Sequence, residues 1–578
     1  MSELLLGNAA VARGAYESGV RFVSSYPGTP STEITEECVK FDRIWCEWAP
    51  NEKVAAEAAI GAAIAGGRAL TCCKHVGLNV MADPIFTASY TGVNAGLVVA
   101  VADDPGMHSS QNEQDSRHYS KAAKLPMLEP ADSAECKEYT KRAYELSERF
   151  DTPCFLRLTT RVAHSQSPVE LCEPIPVPIK PYQKNAAKYV MVPANAIKRH
   201  VAVEDRMRAL AEFAEETDLN RIERNGSKIG VIAAGVTYLY AKEALGDNVD
   251  YLKLGMVYPL PSEKLLDFAK GLDRVYVLEE LDPFIEEHCK ALGLSVIGKA
   301  AFSPLGEYTV NGLLKAILGF EPVFPKPDAE PPARPPVMCP GCPHRGAFYV
   351  LKKLGLTVAG DIGCYTLGAA PPLSSIDTTI CMGASVSAAH GMIKVLGDEA
   401  AKKTVSVIGD STFIHSGITG LINTVYNKGA GVVIILDNSI TDMTGHQENP
   451  TTGKTIRGDA TKQVDLELLC RAIGVEDIRV ADPFDVKAFE QAVKAACAFE
   501  GPSVIVSSRP CALLKGVKYT GRAWITDRCR NCKVCLKLGC PAVAVKDGKP
   551  AIDATQCNGC GLCLNVCPFG AIEKKEDD

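Results

Sequence analysis

"SVIGDSTFIHSGITGLINTVYNKGAGVVIILDNSITDMTG", residues 406–445, reads as a strand, a Gly-Asp turn, a helix of about a dozen residues and a second apolar strand ending on Asp437-Asn438. Two short apolar runs joined by a helical segment make a βα unit with parallel strands. The alternation recurs upstream, at "RALTCCKHVGLN" (68–79), "AGLVVAVADDPG" (95–106) and "SKIGVIAAGVTYLYAKEAL" (227–245). The fold class expected is therefore α/β, built from several doubly wound parallel sheets. In such a unit the carboxyl ends of the strands carry the ligand site. Gly409 would let the backbone approach a diphosphate, the helix amides would face the anion, and Asp410 with Asn438 could hold a divalent ion, for which Mg²⁺ is the natural choice.

Composition bounds the rest. The chain has 578 residues, a formal net charge of −7 and 46% hydrophobic residues, so it can bury a large core without disulfide staples. The start, "MSELLLGNAAVARGAYESG", has an acid at Glu3 and no basic region before its apolar run, so no signal peptide is expected. No apolar run approaches the length of a membrane span. No basic stripe suggests nucleic acid as a partner. A reducing, cytoplasmic location follows, in which clustered cysteines point to metal rather than to disulfides.

"EPVFPKPDAEPPARPPV", residues 321–337, has seven prolines in seventeen positions and reads as a linker. A charged, weakly periodic segment near 183–228 marks a softer boundary. The expected units are 1–190, 195–320, 338–515 and 516–578.

Of the 23 cysteines, eight stand after residue 528. Cys557, Cys560, Cys563 and Cys567-Pro568 follow C-x2-C-x2-C-x3-C-P, a ligand run in which the fourth cysteine serves the other of two clusters. An upstream copy begins at Cys529, Cys532 and Cys535, but Cys540 comes one residue late for the same spacing. One 4Fe-4S cluster is therefore assigned to Cys529, Cys532, Cys535 and Cys567, and another to Cys557, Cys560, Cys563 and Cys540. Zinc knuckles are the alternative, and eight cysteines with no histidine argue against them. The segment resembles a small α+β dicluster ferredoxin domain.

The "GDS" turn with Asp437-Asn438 downstream is similar to the metal and diphosphate motif of thiamine diphosphate enzymes. That resemblance implies that Gly409, Asp410 and Ser411 line the cofactor and that Asp410, the Asn438 side chain and the Ile440 carbonyl ligate Mg²⁺. Such enzymes also need a carboxylate facing the aminopyrimidine. "NEKVAAEAAIGAAIAGG" (51–67) resembles their glutamate helix and nominates Glu52, with Glu57 as the rival. "SSYPGTPSTE" (24–33) resembles the Y-P-x-T-P-S signature of 2-oxoacid:ferredoxin oxidoreductases, which implies that Thr29 meets the substrate or cofactor. Its other reading is a Pro-rich turn.

"MCPGCPHRG" (338–346) brings Cys339 and Cys342, with Cys364 in "GDIGCYTLG" and Cys511 in "SSRPCAL". In that family four such cysteines hold a proximal cluster; a zinc site or buried thiols are the alternatives. His344 could touch the diphosphate. Cys381, Cys470 and Cys497 read as ordinary buried thiols. Lys74, His75 and Arg117 are placed in loops as candidates for a substrate carboxylate, and "CKEYTKRAYELSERF" (136–150) reads as a surface helix.

Across nearly its whole length the chain resembles the alpha-subunit family of indolepyruvate ferredoxin oxidoreductases, on "NEKVAAEAAIGAA", "KHVGLN", "QNEQDSR" and "CPGCPHR". The resemblance implies a pyrimidine-binding unit first, a transketolase C-terminal-like unit second, the diphosphate-binding unit third and the ferredoxin unit last. It also implies oxidative decarboxylation of arylpyruvates to aryl-acetyl-CoA, with CoA as co-substrate, a smaller beta subunit in an alpha2beta2 assembly, and an external ferredoxin as acceptor. The competing readings are a pyruvate or other 2-oxoacid enzyme, a non-oxidative thiamine decarboxylase, and an electron-transfer subunit without catalysis of its own.

Overall fold

The computed structural model describes residues 2–323, 325 and 328–575, which group into two compact units, Met1–Asp328 and Ala329–Asp578. Both are mixed α/β. The described part of the proline-rich segment has no regular structure, and Phe324, Lys326 and Pro327 lie outside the described residues.

The first unit is centred on a seven-stranded sheet in the order Met256–Tyr258, Met127–Leu128, Cys154–Thr159, Leu97–Asp103, Ala69–Lys74, Phe22–Ser25, Trp45–Trp48. Six of these strands are parallel, and Met256–Tyr258 is added antiparallel at one edge. Every residue of Leu97–Asp103 is buried, as a parallel strand covered on both faces requires. A four-stranded sheet, Arg274–Leu278, Ile229–Ala234, Asp250–Leu254 and Asn220–Glu223, packs into the same core: Val101 and Phe155 share a cluster with Ile232, Leu252 and Phe268. The helix Ser133–Arg149, expected on the surface, buries Cys136, Tyr139, Tyr144 and Leu146 on one face, so only its other side meets solvent.

The second unit has a five-stranded parallel sheet in the order Thr357–Ala359, Thr404–Gly409, Gly431–Asp437, Pro502–Ser508, Asp477–Ala481. Two antiparallel strand pairs follow it, Arg522–Ile525 with Ile572–Lys575 and Val543–Lys546 with Lys549–Ile552. Leu538, Leu562 and Ile572 from that last segment share one apolar core with Phe348, Leu351 and Leu436. The cysteine-rich domain is therefore packed onto the parallel sheet domain. Among the described residues no helix is long and apolar enough to cross a membrane.

Candidate active site and cluster sites

The strand Thr404–Gly409 delivers Asp410 to its carboxyl end, where the side chain is only 2% exposed. Burial, with the neighbouring Asp437 carboxylate adding to it, pushes the Asp410 carboxyl up to about 7. The adjacent strand Gly431–Asp437 ends against Asn438, and the chain then turns through Ser439 at φ +60 to present the Ile440 carbonyl. The Asn438 amide oxygen faces the Ile440 carbonyl oxygen at 2.8 Å and Asp410 Oδ1 at 3.3 Å. Turned over, the amide donates its N–H to both oxygens; with its oxygen inward, it joins them as a third ligand suited to a cation. All-oxygen donors from a carboxylate, an amide and a main-chain carbonyl suit Mg²⁺. The close approach at Gly409 is made by the Tyr365 ring, because a Cβ there would lie 2.7 Å from Tyr365 Cε1. Ser411, next in the turn, is buried.

Of the four cysteines expected at a proximal cluster, Cys511 lies beside this turn, its N–H donating to the Asn438 carbonyl at 2.9 Å. Cys364 opens a short helical turn whose preceding loop is pinned by Asp361, which accepts from the main-chain N–H groups of Ile362, Gly383 and Ser385. Cys364 and Cys511 both direct their thiols at Asp442 Oδ2, at 3.7 and 3.3 Å. Burial pushes the thiols of Cys342 and Cys511 up to about 12, and Asp442 acts electrostatically on all four cysteines including Cys339. All four are thus within electrostatic reach of one carboxylate. His344 begins the helix His344–Leu354, lies edge-on to Tyr365 with ring centroids 5.8 Å apart, and is held down to about 4 by burial. A neutral imidazole there suits a structural role or a hydrogen bond to an anion. Of the cysteines read as plain buried thiols, Cys470 is buried, Cys497 is partly so, and Cys381 is exposed because it precedes the helix Ala384–Leu396 in a surface turn.

In the cysteine-rich domain the two sets separate as their interleaved spacing requires. Cys529, Cys532, Cys535 and Cys567 line one space of about 310 Å³, and Cys540, Cys557, Cys560 and Cys563 line another of about 420 Å³. Main-chain N–H groups of Ala523 and Ala571 point at Cys557 and Cys567 Sγ, at 3.4 and 3.3 Å. Such donors are what cluster-ligating sulfurs receive.

In the first unit, Asn51 caps the helix Glu52–Ile64 by accepting from the Val54 N–H at 2.9 Å, which sets Glu52 on the first turn. Glu52 is buried against Gly77, where a Cβ would lie 2.5 Å from its Oε1; Glu57 is exposed and paired with Lys53. The two rivals thus separate by burial. Thr29 lies in the loop after Phe22–Ser25, and its carbonyl accepts from Ser109 Oγ at 3.3 Å. Lys74 ends the strand Ala69–Lys74, packs its stem on Gly28, and donates to the Ser109 carbonyl at 2.9 Å. His75 is buried with Nε2 3.1 Å from the Asn112 carbonyl oxygen. Neither residue is in a loop, and Arg117 corrects the expectation altogether. It is 1% exposed, bonded to Asp115 and to Glu279 at 2.5 Å, and to the carbonyls of Glu280 and Asp282 at 3.1 Å. Buried between these carboxylates and carbonyls, Arg117 ties the loop before its helix to the end of the strand Arg274–Leu278.

Thr451, whose Oγ1 donates to Asp410 Oδ2 at 3.0 Å, Asp442 and Arg345 act through partners far away in sequence; Asp442 stands in the polar stretch "DNSITDMTGHQ" and Arg345 in "MCPGCPHRG", and neither stretch marks its role.

Four family models match the chain: "Pyruvate flavodoxin/ferredoxin oxidoreductase, thiamine diP-bdg" over residues 13–224, "Indolepyruvate oxidoreductase domain" over 220–292, "Thiamine pyrophosphate enzyme, C-terminal TPP binding domain" over 361–507, and "4Fe-4S binding domain" over 549–572. Among curated relatives, the indolepyruvate oxidoreductase subunit IorA of Archaeoglobus fulgidus is 40% identical over 98% of this chain and 97% of its own. That of Pyrococcus horikoshii is 40% identical over 99% and 96%, and that of Methanothermobacter thermautotrophicus 41% over 98% and 97%. With thiamine diphosphate- and 4Fe-4S-binding domains in place, the chain belongs to the family of indolepyruvate oxidoreductase IorA subunits, oxidoreductases of the 2-oxoacid:ferredoxin type.

Proposed function

We propose that this chain catalyses oxidative decarboxylation of arylpyruvates, indolepyruvate among them, to aryl-acetyl-CoA and CO₂, passing the electrons to an external ferredoxin. The observation that carries the reading is the convergence of the Asp410 carboxyl, the Asn438 side chain and the Ile440 carbonyl at the ends of adjacent parallel strands, in the same unit as three groups of cysteines. The substrate class rests on the activity by which the relatives are named.

When bound, thiamine diphosphate supplies the nucleophilic carbon for 2-oxoacid decarboxylation, and 4Fe-4S clusters supply one-electron transfer. Asp410, Asn438 and the Ile440 carbonyl would hold Mg²⁺, with Gly409 and Ser411 lining the diphosphate side and His344 close by. Glu52, from a buried helix start, would exchange a proton with the aminopyrimidine ring. Thr29 would orient the substrate from the Y-P-G-T-P loop, with Lys74 behind it. Cys339, Cys342, Cys364 and Cys511 would hold the proximal cluster, and the two interleaved sets in the last domain the other two. In this reading residues 1–190 bind the pyrimidine, 195–320 form the transketolase C-terminal-like part, 338–515 bind the diphosphate and 516–578 carry the electron exit. A smaller beta subunit in an alpha2beta2 assembly, CoA binding and a cytoplasmic location complete the proposal.

The test is anaerobic protein co-expressed with its partner subunit, loaded with thiamine diphosphate and Mg²⁺, and given CoA with one 2-oxoacid at a time. Bleaching of the cluster absorbance by indolepyruvate, and hardly by pyruvate or 2-oxoglutarate, is the expected result. Bleaching by pyruvate or 2-oxoglutarate alone would overturn the aryl assignment.

A further inference from the structure

Arg345 is 2% exposed, yet among the described residues its guanidinium has no carboxylate partner. All its hydrogen bonds go to main-chain carbonyls: Nε donates to Cys339 at 3.1 Å, Nη1 to Leu538 at 3.1 Å and Gly539 at 2.5 Å, and Nη2 to Met338. One side of the guanidinium thus faces the Cys339–Cys342 loop and the other the turn that ends on Cys540. The two loops touch elsewhere as well. Asn558 Nδ2 donates to the Pro340 carbonyl at 3.0 Å, and Gly341, at φ +76, has no room for a side chain, since a Cβ would lie 2.3 Å from Asn558. Arg345 also lines the space enclosed by Cys540, Cys557, Cys560 and Cys563, and does not line the one enclosed by Cys529, Cys532, Cys535 and Cys567.

A guanidinium does not give up its proton in a protein, and a buried charge without a counter-charge is expensive. Carbonyl dipoles soften that penalty without cancelling the charge. The cysteines acting electrostatically on Arg345 are Cys342, Cys540, Cys339 and Cys560, which belong to two different cysteine sets and would be thiolates as ligands of iron.

We propose that Arg345 is the counter-charge shared by two iron–sulfur sites, and that it raises the reduction potential of the cluster held by Cys540, Cys557, Cys560 and Cys563 relative to that of the cluster held by Cys529, Cys532, Cys535 and Cys567. The inference rests on the reading of these cysteines as cluster ligands. Reduction adds negative charge, so a fixed cation beside one cluster favours its reduced form, while the more distant set is little affected. The Cys540 set then receives electrons first from the Cys339 loop, and the set containing the exposed Cys532 is the exit.

The experiment is an EPR-monitored redox titration of the full chain and of Arg345→Met, with iron and sulfide measured beforehand. Each signal is assigned by its loss in Cys560→Ala or Cys532→Ala. The expected result is a negative midpoint shift of the Cys560 signal by at least tenfold in its redox equilibrium, 59 mV for a one-electron couple, with the Cys532 signal unmoved. Iron-loaded Arg345→Met with no shift, or with equal shifts of both signals, overturns the proposal and leaves the cluster reading standing; absent iron and sulfide in the wild type would remove both. If Arg345→Met does not accumulate, Arg345→Lys decides. Unchanged potentials with earlier thermal unfolding support the charge, and a fall in the Cys560 potential overturns it.

Discussion

Thr451 Oγ1 lies 3.0 Å from Asp410 Oδ2 and, on its other side, 2.6 Å from the Asn449 carboxamide oxygen. A hydroxyl has one proton to give to these two oxygens. The Asp410 carboxyl, pushed up to about 7 mainly by burial, can supply the second. Thr451 thus fixes the carboxyl so that Oδ1 is turned toward Asn438. Thr451→Val removes that orientation while keeping the volume, and should weaken Mg²⁺ binding roughly 10- to 100-fold, as loss of a hydrogen bond behind a metal ligand does. Calorimetric titration of Mg²⁺ in the presence of thiamine diphosphate measures it, and an unchanged affinity would mean that Asp410 needs no such support.

Glu52 and Glu57 lie on one helix but in different environments, one buried against Gly77 and one exposed beside Lys53. A proton exchanged with a bound ring needs the buried, dry position. Glu52→Gln should slow substrate-driven bleaching of the clusters roughly 10²- to 10⁴-fold, the range for loss of a positioned acid or base. Glu57→Gln should leave the rate within about twofold, as expected of an exposed surface charge. Stopped-flow absorbance on the two variants compares them directly, and equal losses would reject the assignment.

These contrasts show which parts of the site could be read in advance. The cysteine sets, the Gly-Asp turn and the Asp437-Asn438 pair are local patterns whose spacing reflects how a short loop wraps a group. Asp410 and Thr451 are 41 positions apart, Arg117 and Glu279 are 162, and Arg345 and Leu538 are 193. Nothing local marks such pairs, because burial created by tertiary packing is what makes them matter. Arg117 illustrates the error this produces: in a string of residues a basic side chain beside "QDSR" looks available, whereas the fold closes two carboxylates and two carbonyls around it. The edge strand Met256–Tyr258 was equally illegible, since three residues carry no periodicity.

Arg117 is therefore expected to hold the fold and to leave substrate affinity alone. Arg117→Met leaves Glu279 in the interior without its counter-charge and Asp115 with only Arg157, at 3.9 Å, and breaking such a buried pair typically costs about 3–5 kcal/mol. Denaturant unfolding of the first unit's transition should show that loss. A variant of unchanged stability with a raised KM would return Arg117 to the binding site.

Glu280 makes the stability of the same region pH-dependent. It is 5% exposed, and burial, opposed by the hydrogen bond it accepts from the Tyr308 N–H at 2.9 Å, pushes its carboxyl up to about 7. The direction is opposite to that of a salt-bridged carboxylate. Below the unfolded value both states are protonated and Glu280 contributes fully. Between there and about 7 the unfolded chain ionises while the folded one keeps its proton, so stability falls as pH rises, by roughly 3–4 kcal/mol at most. Glu280→Gln retains a neutral side chain at every pH and should flatten the decline between roughly pH 5 and 8. Hydrogen exchange of the neighbouring strand Arg274–Leu278 reads this locally, with intrinsic exchange rates corrected for pH. If wild type and variant lose protection in parallel across that range, another buried acid is responsible, and Glu279, whose carboxyl is also raised by burial, is the next to replace.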